Sequence, residues 1–389
     1  MKKHLYILIM LVLMTYAAVT LYQLHNNEIT TQSVSFSSLP SFKETKLAPS
    51  FEAFKNSCRI FLKKSPDTKV GSQFLHLTAK DWQGVCHIAM NLNHPSEANI
   101  HHFFESQFQA IAFSKGGLFT GYYLPLIKGS LKKTSKYPIP LYGKPNDLIK
   151  VDLSQFKPNL NQKIMGRLED GQLVPYHTRK QIHEGAIKNK ADVIAYVHNN
   201  VDRIFLEIQG SGVIKLNDGK QIFVSYVAEN GYPYTPIGKV LVQKGVMTPQ
   251  TASMQSIRAY LEAHPEIADD IINENTSFVF FRQLPIKSFN GAQGAPLTPG
   301  YSLAIDRQYL PMGAPVWLTT TYPTPNGDAK LNRLMIAQDT GGAIKGPVRG
   351  DVYWGAGKDA SYIAGHMKNQ GHYWMLVPKH LSVTKKLNF

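Results

Sequence analysis

Leu334-Met-Ile-Ala-Gln-Asp-Thr-Gly-Gly-Ala-Ile-Lys-Gly-Pro-Val-Arg-Gly-Asp-Val-Tyr-Trp-Gly355 places two short apolar runs on either side of a glycine-rich turn, with Asp339 and Asp351 at its rims. The runs read as β-strands. A turn of this kind can hold a carboxyl rigidly in a cleft, close to backbone, where its protonation is tunable. Upstream, Ser302-Leu-Ala-Ile-Asp306 ends a further apolar run on a third aspartate. Three aspartates at strand ends, with Gly and Pro between them, point to acid–base chemistry on a β scaffold. Taken alone, the turn leaves a paired-carboxylate glycosidase and a structural Asx-turn network open. His366 and His372 lie too far away to complete a zinc set. Gly341-Gly-Ala-Ile-Lys345 lacks the alternating acidic residues of a calcium loop, and no Gly-Lys-Ser/Thr supports a phosphate-binding reading.

Outward from this turn, the 389 residues suffice for two domains of ordinary size. Hydrophobic residues make up 43% and charged residues 18%, which excludes a disordered chain. The 29 Gly and 23 Pro, with 19 Tyr and 19 Phe, favour strands and turns over a helical bundle. A formal net charge of +15 suits an anionic partner: a membrane surface, nucleic acid or an anionic polymer.

Met1-Lys-Lys-His precedes an uncharged, apolar stretch from Leu5 to Tyr22, which reads as an export signal or a short membrane anchor over residues 1–25. No Cys follows it, so lipidation of the bacterial lipoprotein kind is not expected. Residues 26–48 are polar and read as a tether. Export gives meaning to the only two cysteines, Cys58 and Cys86, which are expected to form one disulfide in an oxidising compartment.

Phe51 to Phe113 reads as helical, with Asp81 as a helix N-cap. From Leu118 onward the text is strand-like, and Lys132 to Pro158 reads as a surface excursion. Thr178 to Asn189 is a helical patch. Asp192–Tyr196, Arg203–Ile208, Gly212–Leu216 and Lys220–Tyr226 read as strands, with Asn217-Asp-Gly219 as a hairpin turn. A helix over Ser253–Ala263 stops at His264-Pro265, and strands follow at Val279–Arg282 and Ser302–Asp306.

Beyond these local readings, a set of motifs recurs in one order. They are Phe119-Thr-Gly-Tyr-Tyr123, Pro175-Tyr-His-Thr-Arg-Lys180 with Ile182 and Gly185, and Phe205-Leu-Glu-Ile-Gln-Gly-Ser-Gly212. Asn230-Gly231, Tyr234, Ile237-Gly238, Tyr260-Leu-Glu-Ala-His-Pro265 and Phe280-Phe281 follow. Gly294-Ala-Pro-Leu297, Ser302–Asp306, Pro311-Met-Gly-Ala-Pro315 and Gln338–Gly355 complete the set. On these motifs the chain resembles the membrane-bound lytic transglycosylase A family with its C-terminal three-aspartate (3D) domain, a resemblance that covers nearly everything from Phe51 to Pro378. Two departures stand out. The N-terminus is an apolar segment where some members are lipoproteins, and the Asp339–Asp351 spacing runs through Gly346-Pro-Val-Arg-Gly350.

The resemblance implies a mainly β protein with some helix (α+β): a double-psi β-barrel domain and an inserted second, mostly β domain, with a groove between them. The barrel would use residues 49–125 and 284–384, and the insert 126–283. Family members cleave the MurNAc–GlcNAc bond of peptidoglycan without water, leaving 1,6-anhydro-MurNAc, with one carboxyl acting as acid and then base. That role falls on Asp351, with Asp339 in support and Asp306 as a structural anchor of the barrel. Thr120, Tyr122, Gln209, Ser211 and Lys345 are expected to line the substrate groove, and Tyr176, Arg179 and Arg349 are further contact candidates. Of the adjacent Tyr353 and Trp354, one is expected in the core and one at the surface. No metal or cofactor is implied. The expected partners are peptidoglycan glycan strands, the membrane through the N-terminal segment, and cell-wall synthesis proteins. No nucleic acid is expected, and the protein reads as a monomer in the periplasm or envelope of a Gram-negative bacterium. A hydrolytic glycosidase on the same barrel and a murein-binding scaffold are the alternatives.

Overall fold

The computed structural model describes residues 29–284 and 289–381. The apolar segment Leu5–Tyr22 therefore lies outside the described residues, as do the last residues of the expected barrel range. Chain order begins with β1 (Thr31–Val34), α1 (Ala48–Leu62), α2 (Ala79–Asn91), α3 (Glu97–Gln107), β2 (Phe108–Phe113) and β3 (Gly117–Leu124). The middle of the chain runs through β4 (Leu126–Ser130), β5 (Ile139–Tyr142), β6 (Ile149–Asp152), β7 (Lys163–Glu169) and β8 (Gln172–Pro175). Next come α4 (Arg179–His183), β9 (Val193–Val197), α5 (Asn200–Gln209), β10 (Ser211–Leu216) and β11 (Gln221–Glu229). Helices α6 (Ile237–Gln243), α7 (Met254–Ala263) and α8 (Pro265–Asn273) lead to β12 (Val279–Leu284). The C-terminal part supplies β13 (Ser302–Ile305), β14 (Pro315–Thr324), β15 (Gly327–Asp339), β16 (Arg349–Ala356), α9 (Lys358–His366) and β17 (Lys368–Pro378).

Six of these strands close on themselves in the order β3-β16-β13-β15-β14-β17. Closure falls to β17, which pairs with β14 over His372–Met375 and with β3 over Lys368–Gly371. The pairs β3–β16 and β13–β15 are parallel, and the other ring pairings are antiparallel. A closed ring has no exposed edge to pair with another chain. The C-terminal half of β17 also carries β2, which in turn carries β1.

Helices α1–α3 cover one side of this barrel and share its core. Phe61 on α1 stacks on Trp82 of α2 with ring centroids 5.1 Å apart. The expected disulfide joins Cys58 on α1 to Cys86 on α2, and both residues are fully buried. The inserted part forms a six-stranded sheet, β12-β11-β10-β4-β9-β5, and a three-stranded sheet, β6-β7-β8. Its helices α5–α8 build a separate apolar cluster around Phe205, Leu241, Leu261 and Ile272. The expected α+β architecture, a barrel plus an inserted domain with its own sheets, is thus present.

Several local expectations differ from the structure. Residues 31–47 are no tether: β1 pairs with β2, and Leu39, Phe42 and Leu47 are buried in the barrel core. Their apolar side chains are sparse in a polar text, so composition hides them. Phe108–Phe113 leaves the helical pattern as strand β2, because its buried apolar residues are satisfied on a sheet between β17 and β1. Asp81 is not the cap itself. Thr78 is, and Asp81 answers from the third helical position by accepting from the Thr78 amide at 2.7 Å. Thr178–Asn189 is helical only over α4, and turns with Gly185 and Asn189 at positive φ complete it. Arg203–Ile208 lies in helix α5, where Asn199 caps the N-terminus and Val201, Ile204 and Phe205 share one buried face. The stretch Lys132–Pro158 carries β5 and β6 and buries Tyr137, Leu141 and Leu148, so it belongs to the insert's interior as well as its surface.

Candidate active site

The parallel pairing of β16 with β3 assembles the site. It sets Arg349 opposite Leu118, Asp351 opposite Thr120 and Tyr353 opposite Tyr122. Alternate residues of a strand share a face, so Thr120, Tyr122, Arg349, Asp351 and Tyr353 lie together. Glycines serve the other face. A Cβ on Gly121 would sit 2.7 Å from the Trp354 indole nitrogen, and one on Gly350 would sit 2.9 Å from Leu303 Cδ1.

Asp351 is half-buried. Its Oδ1 accepts a 2.6 Å hydrogen bond from the Thr120 hydroxyl, and Thr120 Oγ1 in turn accepts from Arg349 Nη2 at 2.9 Å. Burial pushes the Asp351 carboxyl up to about 6, the Thr120 hydrogen bond and Arg349 pull against this, and Asp339 adds to it. Asp339 ends β15 and is saturated differently. Tyr122 donates to its Oδ2 at 2.8 Å, and the amides of Ala292 and Thr340 each donate to Oδ1 at 2.9 Å. Burial raises the Asp339 carboxyl and these three donors oppose the rise. Burial and the Asp339 charge push the Tyr122 phenol well above its ordinary range, so it stays a neutral donor. Tyr353, 5.2 Å from Tyr122 ring to ring, is pushed to about 12 by burial and by Asp339.

The backbone around Asp339 is anchored from behind. Gln338 is fully buried; its amide nitrogen donates to Ala53 O (2.9 Å) and Ser57 Oγ (3.0 Å), and its Oε1 accepts from Ser302 Oγ at 2.6 Å. The glycine-rich loop is held at three points. Ile344 is buried, Tyr373 donates to Pro347 O, and Asp306 Oδ2 accepts from the Gly346 amide at 2.9 Å. Asp306 also accepts from the Gln308 amide at 3.1 Å and is itself buried, so it ties the loop to the end of β13.

The insert reaches this site through Gln209. This residue ends α5, ahead of Gly210 at φ 71°, and its Oε1 accepts from the Tyr123 amide at 3.0 Å. Ser211 donates to Ser225 Oγ at 3.2 Å on the neighbouring strand. Leu124 and Tyr353 of the barrel and Val213 of the insert form one small apolar cluster, with Tyr122 and Phe223 at its margin. Lys345 is exposed on the loop, where its charge, with that of Lys150, opposes the burial that raises the insert's Glu229.

Thus Asp351, Asp339, Thr120 and Tyr122 are linked by hydrogen bonds on one face with Gln209 on the adjoining Tyr123 amide, while the described contacts of Ser211 and Lys345 are with Ser225 and Glu229 of the insert. Tyr176 and Arg179 are not groove residues. Both are buried inside the insert, Tyr176 on Asp147 and Arg179 on Glu207. Tyr353 is buried, and Trp354 is only partly so, against Tyr322. The contact of Arg349 with Thr120 is the feature least visible in the text; its i, i+2 spacing to Asp351 on a strand is the signal that finds it. Among the described residues, no group of three or more His, Cys, Asp or Glu side chains is placed to hold a metal ion.

Known proteins share this fold. The pattern of the MltA specific insert domain matches residues 118–282, and that of the 3D domain matches residues 301–377. Membrane-bound lytic murein transglycosylase A of Escherichia coli (strain K12) is 34% identical over 265 residues, 66% of this chain and 65% of that protein. The match therefore spans slightly less than two thirds of that relative's length. The crystal structure of MltA from Neisseria gonorrhoeae, monoclinic form, superposes with a TM-score of 0.76 at 34% identity, covering 92% of this chain and 94% of that one. A structure of E. coli MltA with bound chitohexaose is 25% identical with a TM-score of 0.65, covering 90% and 94%. With both patterns matched in order and a relative of 34% identity covered almost end to end, the chain belongs to the MltA family of lytic murein transglycosylases.

Proposed function

We propose that the protein is a lytic transglycosylase of peptidoglycan, cleaving the MurNAc–GlcNAc linkage to leave 1,6-anhydro-MurNAc ends, with Asp351 as acid and then base. The observation that carries this reading is the asymmetry of the two carboxyls. Asp351 has one oxygen on Thr120 and is raised to about 6, so about half carries a proton near pH 6 and about a tenth at pH 7. Asp339 has donors on both oxygens, which leaves it poorly placed to strip a proton from water. A hydrolase needs two free carboxyls, one for the leaving group and one for water or the sugar.

In the proposed reaction Asp351 gives its proton to the glycosidic oxygen as the C1–O bond breaks. The resulting carboxylate then takes the proton of the same sugar's C6 hydroxyl while O6 bonds to C1. Attack within one sugar gains from proximity, and a groove poor in water keeps hydrolysis from competing. Asp339, whose carboxylate form is favoured by its three donors against burial, supports the positive charge that develops at C1. Thr120 and Tyr122 orient the two carboxyls, and Gln209, Ser211 and Lys345 extend the groove for glycan. The bound chitohexaose of the E. coli relative supports a groove that takes a β-1,4-linked amino-sugar chain. The names of the relatives support an envelope location, with the chain acting at the membrane.

Mass spectrometry of products from purified sacculi tests substrate, bond and mechanism together. Anhydro-MurNAc ends from the wild type, and none from Asp351→Asn with glycan affinity retained, are expected. Reducing MurNAc ends would instead establish the hydrolase, and binding without turnover the scaffold.

A further inference from the structure

Arg349 places a positive charge on the face of β16 that bears Asp351, without a carboxylate on its guanidinium. Among the described residues it forms no ion pair within 4.0 Å. It is held by Leu118 O at 3.1 Å, by Gly350 O, and by Thr120 Oγ1 at 2.9 Å. Arg349 is half-buried, and a guanidinium withdrawn from water normally gains from a direct carboxylate fork. Here one lies two residues away on the same face, yet a hydroxyl is interposed.

The interposed group has one hydrogen. A threonine hydroxyl ordinarily rotates to donate or accept as its neighbours require. Arg349 has only hydrogens to offer, so Thr120 Oγ1 must accept from it, and its single O–H is forced toward Asp351 Oδ1. Oδ1 is thereby occupied by a donor and is a poor place for a proton. The acid's proton is confined to Oδ2, the oxygen for which no partner appears among the described contacts.

We propose that Arg349 is a positioning residue of the catalytic acid: through Thr120 it fixes which oxygen of Asp351 carries the proton and holds the carboxylate form within reach. This rests on Asp351 as the acid. The same relay serves both halves of the reaction, because a hydroxyl locked as donor stabilises the carboxylate left after the first proton transfer. Burial pulls the Arg349 guanidinium down from its usual range and the Asp351 charge opposes it, so each group favours the other's charged form. The other groups facing Asp351 are Asp339 on β15, which disfavours its charge, and Tyr122 and Tyr353, which burial keeps neutral. Lys368 of β17 lies opposite Thr120 in the backbone register but is exposed.

The test is the pH profile of turnover on purified sacculi for Arg349→Gln, Thr120→Val and Thr120→Ser. The first two lose either the charge or the hydroxyl. Each should move the alkaline limb of kcat/KM upward by about one pH unit, a roughly tenfold gain in proton affinity. Their kcat at the new optimum should fall about tenfold, with KM near the wild-type value. Thr120→Ser keeps the hydroxyl and should restore both limb and rate. An unmoved limb in both Arg349→Gln and Thr120→Val overturns the relay, as does a serine variant no better than the valine one. Asp351→Asn, run alongside, separates the failures. If it keeps turnover, the acid assignment fails; if it is inactive while the limbs stay put, only the relay fails.

Discussion

Asp351 meets opposing demands on a single carboxyl. As the proposed acid it needs burial, and burial disfavours the charge it would carry after the first proton transfer. Its folded-state value, about 6, lies above the roughly 3.9 of an unfolded aspartate. The sign follows from that order. Stability from the protonated, buried carboxyl is complete below about pH 4 and is lost as pH rises through about 6. A displacement of about two pH units corresponds to roughly 3 kcal/mol, and partial exposure reduces this to the order of 1–2 kcal/mol at pH 7.5. Asp351→Asn should therefore melt about 2–5 °C higher than the wild type at pH 7.5, with the gain vanishing near pH 4. Calorimetry at the two pH values reads this directly, and a lower melting temperature at pH 7.5 would contradict the sign. At this scale the text was informative. It presents Asp339, Asp351 and Asp306 as strand-end residues; in the structure Asp339 ends β15, Asp306 directly follows β13, and Asp351 lies inside β16. It did not reveal that Asp339 is tied up by three donors, since one of them comes from Tyr122 and another from the Ala292 amide.

Helix α5 decides where the insert meets the barrel. Its Glu207 sits between two guanidiniums, with Arg179 Nη2 at 2.5 Å and Arg203 Nε at 3.6 Å, and all three side chains are almost fully buried. Two residues on, Gln209 bonds to the Tyr123 amide beside the candidate acid's strand. Removing one partner of such a cluster leaves uncompensated buried charge. Glu207→Ala should lose about 3–5 kcal/mol in urea denaturation and should raise KM for glycan through a displaced Gln209. A loss below about 1 kcal/mol would mean the cluster is not what holds α5. In the sequence this element reads as a strand because Arg203-Ile-Phe-Leu-Glu-Ile208 is short and apolar, a pattern that periodicity cannot assign alone. Its helical state depends on Asn199 at the N-cap, on the i, i+4 pairing of Arg203 with Glu207, and on an apolar face met by α6–α8.

The whole molecule is stapled by contacts far apart in the chain. The segment before α1 is one example: Phe42 is 1% exposed and packs edge-on against Trp317 of β14, ring centroids 5.1 Å apart. Phe42→Ala should destabilise the barrel by about 3–5 kcal/mol, measured by chemical denaturation, whereas a true tether residue would tolerate the change. The sequence by itself determined the strand-forming runs, the glycine turn with an aspartate at each rim, the hairpin at Asn217-Asp-Gly219 and the single possible disulfide. These depend on local periodicity, on residues that tolerate special backbone conformations, and on cysteine count. Only the tertiary structure decided that Asp339 takes three donors over both oxygens while Asp351 takes one from Thr120. Thr120 and Asp351 are 231 residues apart and meet because β3 and β16 pair in parallel register across the inserted domain. Pairing of that range follows from closing the ring and burying its core together, a cooperative condition that no local stretch of text contains. The glycine-rich turn set the two aspartates on the rims; closure of the barrel made them unlike.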